Sequence, residues 1–411
     1  MRILEVNKFY FLKGGAERYF FNITDVLRSH GHEIIPFSME NERNLNSPYT
    51  QYFVSNTEFF EKKPIEKYFH DAMRVLYSFE AKRNIERLIK ETKPDLAHLH
   101  NIAHQISPSI LHSLKKYNIP VVQTLHDYKL ICPSYLFLSR EEICERCKGN
   151  HYYQAVIRKC FRNQILPSLL GCLEAYLHKM MKIYKNIDLF IAPSKFMRNK
   201  MIECGLPEDK VVNIPNFVNV SDFKPNYHHQ NYFLYFGRIS PEKGIGTLIK
   251  AMQEVKRSKL VIVGEGRLLP YLKKYACDHQ IKNIEFLGYK EGKELKEIIG
   301  KAMFTIVPSE VYENFPYTIL ESYALGKPVI GANLGGIPEL IEDQRDGLLF
   351  EAFNFKDLAS KINYFLDNQE ILLEMGKKTR EKVEKFYDSE IHYQRLIKIF
   401  QSLLKQGIRS W

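Results

Sequence analysis

The chain has 411 residues, 45% apolar and 26% charged, which is longer than one hydrophobic core usually organises and too apolar for a disordered polar chain, so two domains are expected. Its 59 Lys and Arg against 48 Asp and Glu leave +11, an excess that should attract nucleic acid, anionic lipid or a phosphorylated small molecule. No stretch approaches the ~18 consecutive apolar residues of a membrane span, and the opening MRILEVNKFY lacks the apolar core of a secretory leader; a soluble cytoplasmic enzyme or binding protein is the expectation.

In chain order, Ile3 to Val6 is a buried-strand pattern, Asn7 to Gly15 a turn, and Ala16 to Arg28 a helix. Ile34 to Phe37 reads as a second strand. The spacing predicts one long helix within Ile65 to Glu91, then strands at Leu96–Leu99 and Val121–Leu125. Ser107 and Pro108 are placed to cap and start the helix between those strands. Leu189–Ala192 is another strand, with Ser194 capping the helix behind it. Pro215 to His229 reads as a linker, after which Tyr232–Phe236, Leu260–Val263, Ile284–Leu287, Phe304–Val307, Val329–Gly331 and Leu348–Phe350 alternate with helices. From Leu358 to Leu404 the pattern is helical, broken near Asn368 and Tyr387. This rhythm predicts two doubly wound α/β domains with parallel sheets: residues 1–214, carrying an insert at about 128–163, and 230–388, with a last helix at 389–411 returning to the first domain.

The turn Gly237-Arg238-Ile239-Ser240-Pro241-Glu242-Lys243-Gly244 joins a strand to a helix, where backbone N–H groups converge at the strand ends. Arg238 and Lys243 there could clamp a diphosphate, or be incidental cations on a solvated loop. Gly14-Gly15 occupies the corresponding turn of the first half. It allows close backbone approach to a ligand, or only a tight turn. Neither GxGxxG nor GxxxxGK[ST] is present at these turns, which weakens NAD binding and ATP hydrolysis. Glu313 falls in a loop after a strand, and Glu321 inside the helix begun near Pro316. Both carboxylates could accept hydroxyls of ribose or a hexose, or be solvated. Gly335-Gly336-Ile337-Pro338-Glu339 repeats the pattern of flexible backbone followed by a helix start.

Gly237-Arg238 with Pro241-Glu242-Lys243-Gly244, the Glu313-to-Glu321 element, Ala324-x-Gly326-x-Pro328-Val329, Gly335-Gly336-x-Pro338-Glu339 and Gly14-Gly15-Ala16-Glu17-Arg18 together resemble retaining glycosyltransferases of family 4. The resemblance implies the GT-B architecture, two Rossmann-like domains facing across a cleft. It also implies transfer from a UDP- or GDP-sugar with retained configuration and no catalytic metal. On the family's motif, Arg238 and Lys243 would hold the diphosphate, Glu321 the ribose, and Glu313 with the backbone of Asn314, Phe315 and Pro316 the transferred sugar. Gly14 and Gly15 would let the first domain approach. His126, directly after a strand, could donate to a sugar hydroxyl or to developing negative charge. His100 and Asn101 could line the acceptor side. A glycan or lipid-linked oligosaccharide acceptor is implied; a GT-B sugar-nucleotide 2-epimerase or a non-catalytic sugar-nucleotide binder are the alternatives.

Cys132, Cys144, Cys147 and Cys160 cluster in the insert around a Cys-x2-Cys pair, a spacing that suits a structural zinc; disulfides or unlinked thiols are the other readings. Cys172, Cys204 and Cys277 read as ordinary packing. Between Arg158 and Lys200 nine Lys or Arg face only Glu174 and Asp188. The basic amphipathic stretch Ile165 to Tyr184 could therefore rest on anionic lipid at the inner face of the cytoplasmic membrane, or pack with its lysines in solvent. The usual nucleic-acid recognition motifs are missing, so nucleic acid is not expected as a partner.

Overall fold

The computed structural model describes residues 1–56 and 65–408. The first unit runs β1 (Arg2–Val6), α1 (Gly15–Ser29), β2 (Glu33–Phe37), α2 (Ile65–Leu76), α3 (Phe79–Thr92), β3 (Leu96–Leu99), α4 (Ile110–Lys116) and β4 (Val121–Thr124). The insert follows, with β5 (Leu138–Ser139), β6 (Glu142–Ile143) and α5 (Gln154–Ile157), then α6 (Ile165–Met180), β7 (Leu189–Ala192), α7 (Lys195–Glu203) and β8 (Val211–Asn213). The second unit runs β9 (Tyr232–Phe236), α8 (Ile245–Ala251), β10 (Lys259–Val263), α9 (Leu269–Asp278), β11 (Ile284–Gly288), α10 (Gly292–Lys301) and β12 (Thr305–Val307). It ends with α11 (Tyr317–Ala324), β13 (Val329–Ala332), α12 (Ile337–Leu340), β14 (Gly347–Phe350), α13 (Phe355–Asp367), α14 (Glu370–Phe386) and α15 (Ser389–Ile408).

Each unit has a six-stranded parallel sheet, ordered β2-β1-β3-β4-β7-β8 and β11-β10-β9-β12-β13-β14. Helices cover both faces, so strands such as Ile3–Val6 and Leu260–Val263 are buried throughout. Tyr19, Ile23 and Leu27, one helical turn apart on α1, are at most 1% exposed; burying side chains of this size stabilises by ~1.5–3 kcal/mol each. Strand order reverses beside β1 and beside β9, and ligands of open sheets bind outside the carboxyl ends at such reversals. The two reversals face one another across an interdomain cleft of about 1710 Å³.

The α15 helix packs on α1, with Tyr19 Oη 2.9 Å from His392 Nε2 and Phe400 against His98. It thus lies against the first unit; residues 409–411 lie outside the described residues. Two local expectations change, and one strand was not expected. The predicted helix of residues 65–91 is two helices, because Ser78 is extended and its Oγ caps α3 by accepting from the Ala81 N–H at 3.1 Å. Ser107, at φ 74°, stands three residues before α4, which begins at Ile110; its Oγ accepts from the N–H of Ser109 in the turn leading into that helix, as well as from the N–H of Ser78. The strand β8 extends the first sheet by pairing with β7 from a run of three residues, too short to stand out by pattern.

Candidate functional site

On the second unit the cleft begins where β9 ends. Gly237 has φ 142°, and a Cβ on Gly264 would lie 1.9 Å from the Gly237 carbonyl oxygen, so the two strand-end turns interlock only as glycines. Arg238 is exposed and lines the cleft beside Lys243. Gly244, at φ 66°, leaves no room for a side chain because a Cβ would sit 1.8 Å from the Pro308 carbonyl oxygen. That contact seats Lys243 against the loop after β12. Lys243 Nζ is 2.5 Å from Glu313 Oε1, and Ser309 Oγ donates to the same oxygen at 2.7 Å. Burial pushes the Glu313 carboxyl up, but Lys243, Ser309 and Arg238 outweigh it and hold the group below its ordinary range.

Glu321, on α11, also lines the cleft and is ion-paired with Arg18 of α1 across the two units. Burial raises its pKa, opposed by Arg18 and Lys296. Arg18 is a site residue whose partner the sequence did not reveal, although it stands in the quoted Gly14–Arg18 segment. Asn314 Nδ2 donates to the His126 carbonyl at 2.6 Å, and Asn216 Nδ2 to that of Phe315 at 3.1 Å, so the loop is tied to both units. Phe315 is buried against Tyr387, whereas Pro316 precedes α11 at the cleft wall. The Tyr317 hydroxyl is buried in this wall without a hydrogen-bond partner among the described residues.

Gly335 and Gly336 also pack tightly against the loop before α11. A Cβ on Gly336 would lie 2.0 Å from the Asn314 carbonyl oxygen, and the Gly336 N–H donates to the Glu313 carbonyl at 2.7 Å. They buttress the Glu313–Asn314 backbone from behind. Glu339 instead accepts from the N–H groups of Lys195 and Phe196 at the start of α7, joining the units.

From the first unit, Gly14 and Gly15 line the cleft, where an added Cβ would make only ordinary contacts, 3.7 Å from Glu17 and 3.8 Å from Tyr317, and Lys13 lies near Lys8, Arg43 and Arg238. Burial first, then those cations, lower the Lys13 pKa; Glu17 opposes them. His126, half-buried at the end of β4, faces the same space, with Nε2 3.0 Å from His100 Nδ1. Asp127 lines the cleft and caps the Lys129 N–H; Asn101 lines it too. His104 and Lys129 flank the buried Glu174 at 3.3 and 2.7 Å. Among the described residues, one group of three His, Cys, Asp or Glu ligand atoms lies within 4.8 Å of one another: Glu5, His98 and His100, fully buried, with each histidine hydrogen-bonded to Glu5. Glu5 was missed in the sequence; its signal is a lone carboxylate inside an apolar strand.

In the insert, Cys132 and Cys147 are buried and Cys144 and Cys160 half-buried, all as free thiols. Burial, then Cys132, Cys160, Cys144 and Cys172, push the Cys147 thiol up to about 12. Cys172 packs in this same cluster with Cys147, rather than in a core of its own. The insert also reaches the loop after β12: Tyr312 Oη donates to Glu145 Oε1 at 2.8 Å, its ring packed on Phe137 and Phe196. On α6, Leu166, Leu169, Leu173 and Met180 are exposed beside Phe69 and Met73 of α2, near exposed Lys179, Lys182 and Lys185. Among the described residues no helix is long and apolar enough to cross a membrane.

Residues 13–222 match the family described as Glycosyltransferase Family 4, and 219–382 the one described as Glycosyl transferases group 1. An uncharacterized glycosyltransferase of Methanocaldococcus jannaschii is 32% identical over 201 residues, 49% of this chain and 56% of that protein. An uncharacterized 42.6 kDa protein in the cps region of Klebsiella pneumoniae is 26% identical over 83% of this chain and 87% of that one. The crystal structure of Anabaena HepE in complex with UDP is similar in fold, with TM-score 0.71 at 17% identity, covering 98% of this chain and 100% of that one.

Proposed function

Because the chain belongs to glycosyltransferase family 4, nucleotide-sugar-dependent transferases of GT-B architecture, we propose that it moves a hexose or N-acetylhexosamine from a UDP- or GDP-sugar to a glycan or lipid-linked oligosaccharide hydroxyl, with retention. The observation that carries this reading is the convergence of Arg238, Lys243, Glu313 and Glu321 on one interdomain cleft. Arg238 and Lys243 would bind the diphosphate, and Glu321 the ribose hydroxyls as Arg18 shifts aside or shares the carboxylate. Glu313, held ionised by Lys243 and Ser309, would orient the sugar. In the reaction the anomeric carbon–oxygen bond breaks with its electron pair leaving on the diphosphate. The acceptor oxygen bonds that carbon from the same face and gives its proton to a donor phosphate oxygen. Both cations stabilise the leaving charge where the closed units exclude water, usually the largest contribution to rate.

The test is a donor screen followed by product analysis with free and lipid-linked glycans. An acceptor-dependent product with the donor's anomeric configuration is expected. An epimerised sugar nucleotide formed without acceptor would replace the reading with an epimerase, and donor binding without turnover across the acceptor set with a non-catalytic binder. Two further roles belong to this reading. The four insert cysteines would hold one structural zinc; the reading rests on the Cys-x2-Cys spacing and on their grouping near Cys147, and it requires the thiols to draw together, since among the described residues no three of their Sγ atoms lie within 4.8 Å of one another. The exposed apolar faces of α2 and α6, flanked by lysines, would rest on anionic lipid at the cytoplasmic membrane face, so that the protein sediments with anionic but not neutral vesicles.

A further inference from the structure

Behind the cleft wall lies a chain of titratable groups that the transfer reaction does not itself use. Glu5 on β1, His98 on β3 and His100, one residue past the end of β3, are 0% exposed. Glu5 Oε1 is 3.0 Å from His98 Nδ1 and Oε2 is 2.8 Å from His100 Nε2. His98 Nε2 is 2.8 Å from Thr124 Oγ1, and His100 Nδ1 is 3.0 Å from His126 Nε2. The sheet order explains the juxtaposition: β1, β3 and β4 are neighbours, and β3 pairs Glu5 with His98 and His98 with Val122 in register. Side chains two apart along a strand share a face, so both histidines meet the same carboxylate.

The donors and acceptors in this chain can be arranged in only one way while its members are neutral histidines and an ionised Glu5. Although burial pushes its carboxyl up, His98 and His100 outweigh that and hold Glu5 at about 2, so it only accepts. Both histidines must therefore present N–H groups to it: His98 through Nδ1 and His100 through Nε2. Burial and His98 hold the His100 pKa down to about 4 against Glu5, so the ring is neutral near pH 7 and its Nδ1 keeps a lone pair. That lone pair can only accept, which requires an N–H on His126 Nε2. Burial, then His100, His98 and Lys8, keep His126 neutral as well. Its remaining nitrogen, Nδ1, has no protein hydrogen-bond partner among the described residues and belongs to a ring lining the cleft.

We propose that Glu5 and His100 are positioning residues that lock His126 in the Nε2–H tautomer, so that it offers the cleft an acceptor and takes a hydrogen bond from a substrate hydroxyl. This reverses the polarity expected from the sequence, in which His126 donates to a hydroxyl or to developing negative charge. It also states a specificity rule: the substrate group at this point must bear a proton, and an ionised carboxylate or phosphate oxygen there meets a lone pair instead of a donor. Tyr19, whose ring lies edge-on 5.2 Å from the His126 ring centre, closes one side and leaves the cleft as the approach. The tautomer assignment stands on the free protein's geometry; only its kinetic consequence rests on the transferase reading above.

The experiment is long-range ¹H–¹⁵N correlation NMR of the full-length chain with ¹⁵N-labelled histidine at pH 7, His126 being assigned by loss of its signals in His126→Gln. The expected result is a protonated Nε2 and an unprotonated Nδ1. A protonated Nδ1, in either the other tautomer or the imidazolium, would overturn the proposal whatever the activity. Two His100 variants extend the test, because a glutamine can still accept from His126 Nε2 and a phenylalanine cannot. His100→Gln should keep the Nε2–H tautomer and transfer within about threefold of wild type. His100→Phe should give mixed tautomers and ~10-fold or greater loss of kcat, the worth of one substrate hydrogen bond. Equal kinetic losses in both variants, with wild-type tautomers retained, would reduce these residues to packing. Absence of turnover in the wild type itself, with the tautomer as expected, would count against the transferase reading and not against this one.

Discussion

Gly336→Ala tests whether the glycine pair shapes the loop between β12 and α11. Its φ is −84°, so an alanine suffers no backbone strain, and the whole effect is steric. The new methyl would lie 2.0 Å from the Asn314 carbonyl oxygen and 3.0 Å from that of Glu313. Restoring ordinary contact requires a retreat of about 1.4 Å by backbone that carries both residues. Overpacking of this kind destabilises by ~1–3 kcal/mol, or roughly 2–4 °C per kcal/mol in a domain of this size. The functional loss should be larger, because a 1 Å misplacement at a reacting centre can cost ~100-fold. Gly246→Ala is the control: it lies in α8 with nothing within 4 Å of its Cβ and should be neutral or stabilising by ~0.5–1 kcal/mol. Melting curves and donor turnover of both variants are the assay. Wild-type kcat in a folded Gly336→Ala protein would refute the idea that these glycines set the position of Glu313.

Lys243→Ala should lower kcat/KM by ~100–1000-fold through lost stabilisation of the leaving diphosphate, while destabilising by only ~1–3 kcal/mol for the carboxylate left without its cation; steady-state kinetics beside melting curves separate the two. Stability should fall on acidification in two overlapping stages. His100, held down to about 4, and His392, held to about 3, both chiefly by burial, take up protons in the unfolded chain near 6.5 but not in the fold, so stability declines from about pH 6.5 toward 3. Glu5, at about 2 against an ordinary 4.5, contributes stability that is present above 4.5 and lost as pH falls toward 2. Urea midpoints across pH 3–7 should show the loss, and Glu5→Gln should flatten its lower stage. Metal analysis of anaerobically purified protein should give about one zinc per chain, abolished by replacing Cys144 and Cys147 with serine; no metal in chelator-free preparations would refute the zinc assignment.

The alternation of strands and helices was legible because parallel strands buried on both faces leave short apolar runs such as Leu260–Val263. The loop between β12 and α11 was legible because Glu313 and Glu321 stand on either side of a helix start whose proline is visible. Pairings between distant segments were not. Arg18 meets Glu321, and Glu5 meets His100, only because strand order and domain closure bring them together. Glycines also carry no label for their purpose: Gly244 and Gly336 answer to backbone contacts from other loops, which a linear pattern does not contain. The split at Ser78 escaped notice because helical spacing of apolar residues continues across it, while the capping side chain redirects the backbone.

Tyr312 joins the cysteine insert to the loop that carries Glu313, from opposite sides of the cleft. Any exchange or trimming of the insert would therefore reach beyond the insert itself, because the backbone that carries Glu313 leans on it through the hydroxyl and ring of one tyrosine.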